Sequence, residues 1–269
     1  MTPMKLVTLE FPFTLLTPCF SGGADGKDGP SMMRVPAIRG QVRDWHRILF
    51  GNADANLVWG SASNSDSSAS RIALRLTATV PASVRKEPVL PHKFTAGRSA
   101  LMEDTRYTVE IQRLVGCKGK DWDHARSAMR TWLLAGCLGY RANRAAGSVW
   151  PADASAPPDA AAFASELRSI GLRWPIRLSD PPGQVSRREL RKTASDTVMI
   201  RQYFGGAGET REPSPIRFKV VSFGGNASLL AIAAPKELST PSGKQQLLDA
   251  GLNALKHKPP WSGLSWIAF

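Results

Sequence analysis

Four histidines, His46, His92, His124 and His257, are scattered along 269 residues, and no two of them have the spacing of an H-E-x-x-H metal helix. That argues against a zinc enzyme. His46 stands in Arg43-Asp44-Trp45-His46-Arg47, where an imidazole can act as a general acid or base, or be an ordinary helix residue at the surface. The neighbouring arginines disfavour its protonated form. Asp25 and Asp28 lie three apart in the glycine-rich stretch that begins Ser21-Gly22-Gly23-Ala24-Asp25-Gly26. Two such carboxylates can hold a hard divalent ion, but Asp and Gly are also common turn formers. Cys19, Cys117 and Cys137 form no C-x-x-C pair, which argues against a disulfide framework and a cysteine zinc site and predicts a reducing cytosol. There is no phosphate loop and no G-x-S-x-G elbow, and Gly205-Gly206-Ala207-Gly208 lacks the strand-loop-helix setting of a dinucleotide site. No cofactor, metal or catalytic set is expected.

Positive charge is the stronger signal. The chain carries 35 basic against 22 acidic residues, a net charge of +13, spread along its length rather than held in a tail. Such a charge points to a polyanion, most often nucleic acid. Arg39, Arg43 and Arg47 recur every four residues, so on a helix they form one stripe, which can track phosphates or be a solvated face. Trp45 falls on the apolar side of that helix and reads as core, whereas Trp59, before Gly60-Ser61, can stack on a base or be buried. No apolar run is long enough to span a membrane, and the first twenty residues lack the pattern of a secretory signal.

These residues need elements to position them. Residues 5–16 alternate, with Val7, Leu9, Phe11, Phe13 and Leu15 on one face, and read as a strand whose Pro12 predicts an edge or a bulge. Residues 36–50 read as a helix opened by Pro36, with Ile38, Val42, Trp45 and Leu49 inward. Strands follow over 71–80 and 106–115, separated by an insertion at 81–105 whose Arg85, Lys86, Lys93, Arg98, Phe94 and Met102 suit a projecting hairpin or a surface loop. Asp121 can cap a helix over 122–138 that buries Ala125, Ala128, Met129, Trp132 and Leu133, with Gly139 as its stop; a short strand begins near 147. Strand, helix, strand, strand, helix, strand is the α+β ferredoxin-like unit. Beyond a linker at 151–160 the pattern predicts a helix near 159–170, strands near 198–204, 215–223 and 228–234, and a helix near 245–257. The expected organisation is a first unit over 1–150 and a second, less regular one over 151–269.

Several segments together resemble the RAMP superfamily of CRISPR-associated proteins. Thr17-Pro18-Cys19-Phe20-Ser21-Gly22-Gly23-Ala24-Asp25 is similar to the family's "TPxFxGGAD" loop. Arg34 through Arg47 resembles the helix that follows it, with Ala37, Arg39 and His46 replacing a serine, a lysine and a tryptophan. Val58-Trp59-Gly60-Ser61 looks like its "F-G-S" segment. Leu138-Gly139-Tyr140-Arg141-Ala142-Asn143-Arg144 with Ala145-Ala146-Gly147-Ser148-Val149 resembles its "LGxRxRRGFGSV" loop, and Arg211 through Arg217 is similar to a later "R-x-x-S-P" segment. Within the family the chain looks most like the first RAMP subunit of the Cmr, or type III-B, effector. That resemblance implies a cytoplasmic, non-catalytic RNA-binding subunit of a type III effector complex in antiviral defence. Its partners would be guide RNA, target RNA and the other RAMP backbone subunits. The residues implied to contact RNA are Gly22, Gly23, Arg34, Arg39, Gly40, Arg43, Arg47, Trp59, Arg141 and Arg144. The same resemblance leaves two other expectations open: an endoribonuclease that processes guides with His46 or cleaves target with Asp25, and an adaptor that docks protein partners.

Overall fold

A computed structural model describes residues 7–22, 31–62, 67–79, 82–91, 93, 97–180, 184–197, 201–204, 214–233, 241–256 and 261–269. Gly23, Asp25, Asp28, His92, Phe94, His257, the glycine run at 205–208 and residues 211–213 therefore lie outside the described residues. No helix among those described is long and apolar enough to cross a membrane.

The first half runs β1 (Thr8–Leu15), α1 (Val35–Phe50), α2 (Asn52–Trp59), β2 (Ile72–Ala78), β3 (Val84–Pro88), β4 (Gly97–Leu101), β5 (Arg106–Arg113), α3 (Gly119–Ala135) and β6 (Val149–Pro151). The main strands form one antiparallel sheet in the order β2-β5-β1-β6, the ferredoxin-like arrangement expected. Period-two burial on β1 and β5 puts Phe13, Leu15, Tyr107, Val109 and Ile111 in the core, where Phe13 meets Trp132 of α3 edge-on at 5.3 Å. Contrary to the expectation from Pro12, β1 is an inner strand. Leu15 N donates to Thr105 O on the β5 side and Leu16 N to Ser148 O on the other, so by alternation the Pro12 nitrogen faces β6. The β6 ladder stops at Phe13↔Pro151, one residue short of it, and the missing N–H leaves no gap.

α3 begins three residues earlier than expected. Asp121 is its third residue, where it accepts from Lys118 N at 2.8 Å and pairs with Arg71 at 2.7 Å, and Gly136 closes the helix in place of Gly139. Gly139 (φ 84°) and Gly147 (φ 63°) instead build the following loop. A Cβ at Gly139 would sit 2.7 Å from Phe20 O, and one at Gly147 2.0 Å from Leu138 O, so neither position accepts a larger residue.

The second half comprises α4 (Ala160–Ile170), β7 (Ile176–Asp180), α5 (Arg187–Ser195), α6 (Arg201–Phe204), β8 (Ile216–Phe223), β9 (Asn226–Ala233), α7 (Pro241–Lys256) and β10 (Ser265–Ala268). Its sheet order, β10-β7-β9-β8, repeats the first sheet's pattern strand for strand, so the second unit is as regular in topology as the first. Residues 201–204, expected in a strand, form one helical turn that buries Phe204 against Phe218, with ring centroids 5.7 Å apart.

One continuous core joins the two halves. β8 contributes most to the joint: Lys219, fully buried, donates to Leu133 O at 2.6 Å and Gly136 O at 2.8 Å, closing the C-terminal end of α3.

Candidate nucleic-acid interface

The insertion forms the hairpin β3–β4, but it is held against the body rather than projecting freely. Cys19 and Leu101 exchange backbone hydrogen bonds of 2.8 and 2.9 Å. From α5, Arg187 pairs with Asp104 at 2.6 Å, Arg188 with Glu103 at 2.7 Å, and Arg191 donates to Pro88 O at 2.8 Å. These contacts engage the acidic residues at the hairpin's base. Its basic residues Arg85, Lys86, Lys93 and Arg98 stay exposed.

The glycine-rich loop is fixed at both ends. Met32 N donates to Ser21 O at 3.2 Å, and Ser31 is bonded twice to Ser99 of β4, at 2.8 and 2.6 Å. Gly22 is exposed at its start. Next to it Tyr140 N donates to Phe20 O at 2.9 Å, which brings the loop after α3 alongside. Tyr140 is 44% exposed and two guanidinium groups reach its ring, Arg98 at 6.0 Å and Arg141 at 5.7 Å. Arg141 takes the left-handed backbone conformation (φ 64°), a strained choice for a non-glycine residue.

α1 starts at the same place. Its N-cap, Arg34, is exposed and makes no side-chain cap, and the first turn carries no acidic residue, so the positive end of the helix dipole is uncompensated. Among the described residues, none of Arg34, Arg98 and Arg141 meets a carboxylate. An exposed glycine, an open helix N-terminus, three guanidinium groups without a carboxylate partner and an aromatic ring make a surface that suits phosphate and a stacked base.

Several residues expected at such a surface are elsewhere. Arg39 donates to Trp59 O, and Arg43 to Asn56 Oδ1 at 2.6 Å, so both turn toward α2 and join it to α1. Arg47 pairs with Asp44 at 2.6 Å. The four-residue stripe is real, but it carries little free charge. Trp59 is 1% exposed and has no face for a base. Arg144 is buried and donates to Ser214 Oγ at 3.0 Å and Phe204 O, tying the loop to the second half; burial pulls its pKa down to about 10. Gly40 is exposed on α1, and a Cβ there would touch nothing within 4 Å. Tyr140 and Arg98 are the residues at this surface that lie outside the expected RNA-contacting set. The signal for Tyr140 is an aromatic between Gly139 and Arg141, outweighed by the larger Trp59.

His46 is not the surface residue expected. It is 0% exposed, between Trp59 Nε1, 2.9 Å from its Nδ1, and Asp54 Oδ1, 2.8 Å from its Nε2. Indole can only donate, so Nδ1 accepts and Nε2 carries the proton to Asp54. Burial is the main force holding the His46 pKa below 6.5, despite the carboxylate. His124 Nδ1 reaches the same Asp54 oxygen at 2.9 Å. Burial raises the Asp54 pKa, but the hydrogen bonds from His124 and His46 outweigh it and keep it below 3.8. The ligand atoms of this trio lie within 4.8 Å of one another, a spacing that admits a metal ion. The tautomer opposes one: a histidine bound through Nε2 keeps its proton on Nδ1, where it would face the Trp59 N–H. With both nitrogens committed and no exposed surface, His46 cannot reach an RNA 2′-hydroxyl either.

A family model for the RAMP superfamily matches residues 12–150. Among solved structures, the chain is similar to Cmr1 from Pyrococcus furiosus in its apo form, with a TM-score of 0.61 at 16% identity over 91% of this chain and 96% of that one. It is also similar to a chain in the cryo-EM structure of the type III-B Cmr-beta bound to cognate target RNA, with a TM-score of 0.55 at 11% identity over 94% of this chain and 100% of that one. At these identities the likeness is one of fold. No curated protein sequence matches.

Proposed function

The chain belongs to the RAMP superfamily, and from that premise we propose that it is a non-catalytic RNA-binding subunit of a type III CRISPR effector, holding guide RNA or the guide–target duplex by its backbone in antiviral defence. The observation that carries this reading is the set of unpaired cations, Arg98 and Arg141 over the ring of Tyr140 and Arg34 at the open end of α1. Phosphate contacts of this kind give affinity without sequence preference, as a subunit that accepts any guide requires. Base pairing then does the reading. The fold it shares with a chain of a Cmr assembly bound to target RNA supports the same role, with other RAMP subunits as neighbours in the cytoplasm. The nuclease alternative loses His46 to burial, and Asp25 lies outside the described residues.

The test is RNA affinity as a function of salt. Wild-type affinity should fall steeply with salt and depend little on RNA sequence. Arg34→Glu, Arg98→Glu and Arg141→Glu together should lower the slope of log K against log salt by roughly 2, since each single-strand phosphate that is no longer neutralised takes about 0.7 from it. An unchanged slope removes the interface. Cleavage of guide precursor or paired target by the purified chain, with or without magnesium, would refute the non-catalytic reading.

A further inference from the structure

A cleft of about 540 Å³ opens beside α4, lined by Arg168, Gly171, Arg173, Trp174, Gln245 and Phe269, among others. Trp174 is half-buried. It leans on Trp45 of α1 at 6.0 Å, and two cations stand over its ring, Arg217 and Lys244, each at 5.8 Å. The lining contains no acidic side chain. The nearby Asp249 is taken by Arg177 at 2.9 Å, and Asp44 by Arg217 at 3.3 Å. Among the described residues, Arg168, Arg173 and Lys244 have no carboxylate partner. A second cleft, of about 400 Å³, shows the contrast: Glu10, Asp153 and Glu166 line it beside a single cation, Arg130, which Glu166 takes, so its balance is acidic.

We propose that the Trp174 cleft binds an unpaired nucleotide of single-stranded RNA, with the base against Trp174 and its phosphate met by Arg168 and Arg173. The cleft is within the usual size range of small-ligand sites, and an aromatic wall beside free guanidinium groups is the chemistry of sequence-tolerant single-strand binding. Its place in the fold agrees. Trp174 meets α1 at Trp45, about eleven residues from the helix start, or roughly 16 Å along the axis from Arg34. Pro36, Gly40 and Asp44 recur every four residues on the solvent side of α1, away from the buried Trp45, and Asp44 pairs with Arg217, one of the cations over Trp174; Gly40 leaves the backbone bare on that stripe. The inference rests on the RNA-binding reading above and adds to it a second contact, one that demands an unpaired base.

The experiment uses the full chain with two probes, a short single-stranded RNA carrying 4-thiouridine and the same RNA in a fully paired duplex. Ultraviolet cross-linking with mass-spectrometric mapping should place the single strand on residues 168–174. Trp174→Leu should weaken single-strand binding by on the order of tenfold and leave duplex binding unchanged. Because Trp174 packs on Trp45, a second variant, Arg168→Glu with Arg173→Glu, changes only exposed side chains and should have the same selective effect. If RNA binds with salt-dependent affinity but cross-links only around Tyr140, and both variants behave as wild type, the cleft proposal is overturned while the RNA-binding reading stands. If no RNA binds anywhere, both readings fall.

Discussion

Replacing Lys219 by methionine should remove a pH dependence that the wild-type protein carries between pH 7 and 9. The Lys219 amine is fully buried, and burial lowers its pKa from 10.5 to about 7, with Cys137 pulling the other way and Arg130 pushing the same way as burial. As a neutral amine it still supplies the two donors that Leu133 O and Gly136 O accept. In the unfolded chain the group stays protonated through this range, so the unfolded state binds more protons and stability rises with pH. Taking a folded value of about 7, the gain between pH 7 and 9 integrates to roughly 2 kcal/mol, or about 5 °C in melting temperature for a chain of this size. Methionine fills a similar volume without titrating, but it leaves the two α3 carbonyls without their donor. The variant should therefore lose most relative to wild type at pH 9 and least at pH 7 or below. Cys19 and Tyr107, whose pKa values burial raises to about 12, work in the opposite direction above pH 9, but they contribute equally to both proteins and cancel in the difference. Thermal or urea unfolding of both proteins at half-unit pH steps measures it. A wild-type-minus-variant difference that is flat from pH 7 to 9 would show that Lys219 is not held neutral, and the reasoning from its burial would fail.

Lowering the pH should destabilise the protein through His46, whose folded pKa lies below its unfolded 6.5; stability should fall as pH drops below 6.5, and this component should be absent in His46→Gln. Trp59→Phe removes the N–H that occupies His46 Nδ1 and should cost about 1–2 kcal/mol in urea unfolding, with RNA affinity unchanged; a drop in affinity at full stability would return Trp59 to the binding surface. Gly40→Ala should raise stability by about 0.5–1 kcal/mol in urea unfolding, since its Cβ meets nothing within 4 Å, and should weaken RNA binding in a titration; unchanged affinity would remove Gly40 from the RNA path. Arg144→Met should lower stability by about 2–3 kcal/mol by removing charge-assisted bonds to Ser214 and Phe204, with the salt slope of RNA binding unaltered.

What could be read from the sequence alone was whatever repeats locally. Alternation over eight residues identified β1 and β5, and a 3.6-residue stripe identified α1 and α3 with the correct buried faces, because each pattern spans enough turns or pleats to stand out. The four-, five- and nine-residue elements β10, β7 and α5 were not legible. The two strands are too short to show a period, and α5 is rich in arginine, one of which, Arg191, is buried where an apolar residue would have marked the face. The charge and the glycine loops point to the region where α1 begins, and there Arg34, Arg98 and Arg141 stand without a carboxylate partner among the described residues. Which arginines face outward was a tertiary decision. Arg39, Arg43 and Arg144 sit at positions as suitable as Arg34 and Arg141, but α2 and β8 arrive from elsewhere in the chain and present acceptors that claim their donors. His46 shows the same rule more strongly: its burial, its tautomer and its bond to Asp54 exist only because α2 folds back over α1 and α3 brings His124 beside them. A residue's type and spacing state what it can bind, and the partners that the fold brings within about 3 Å determine whether that capacity is already used.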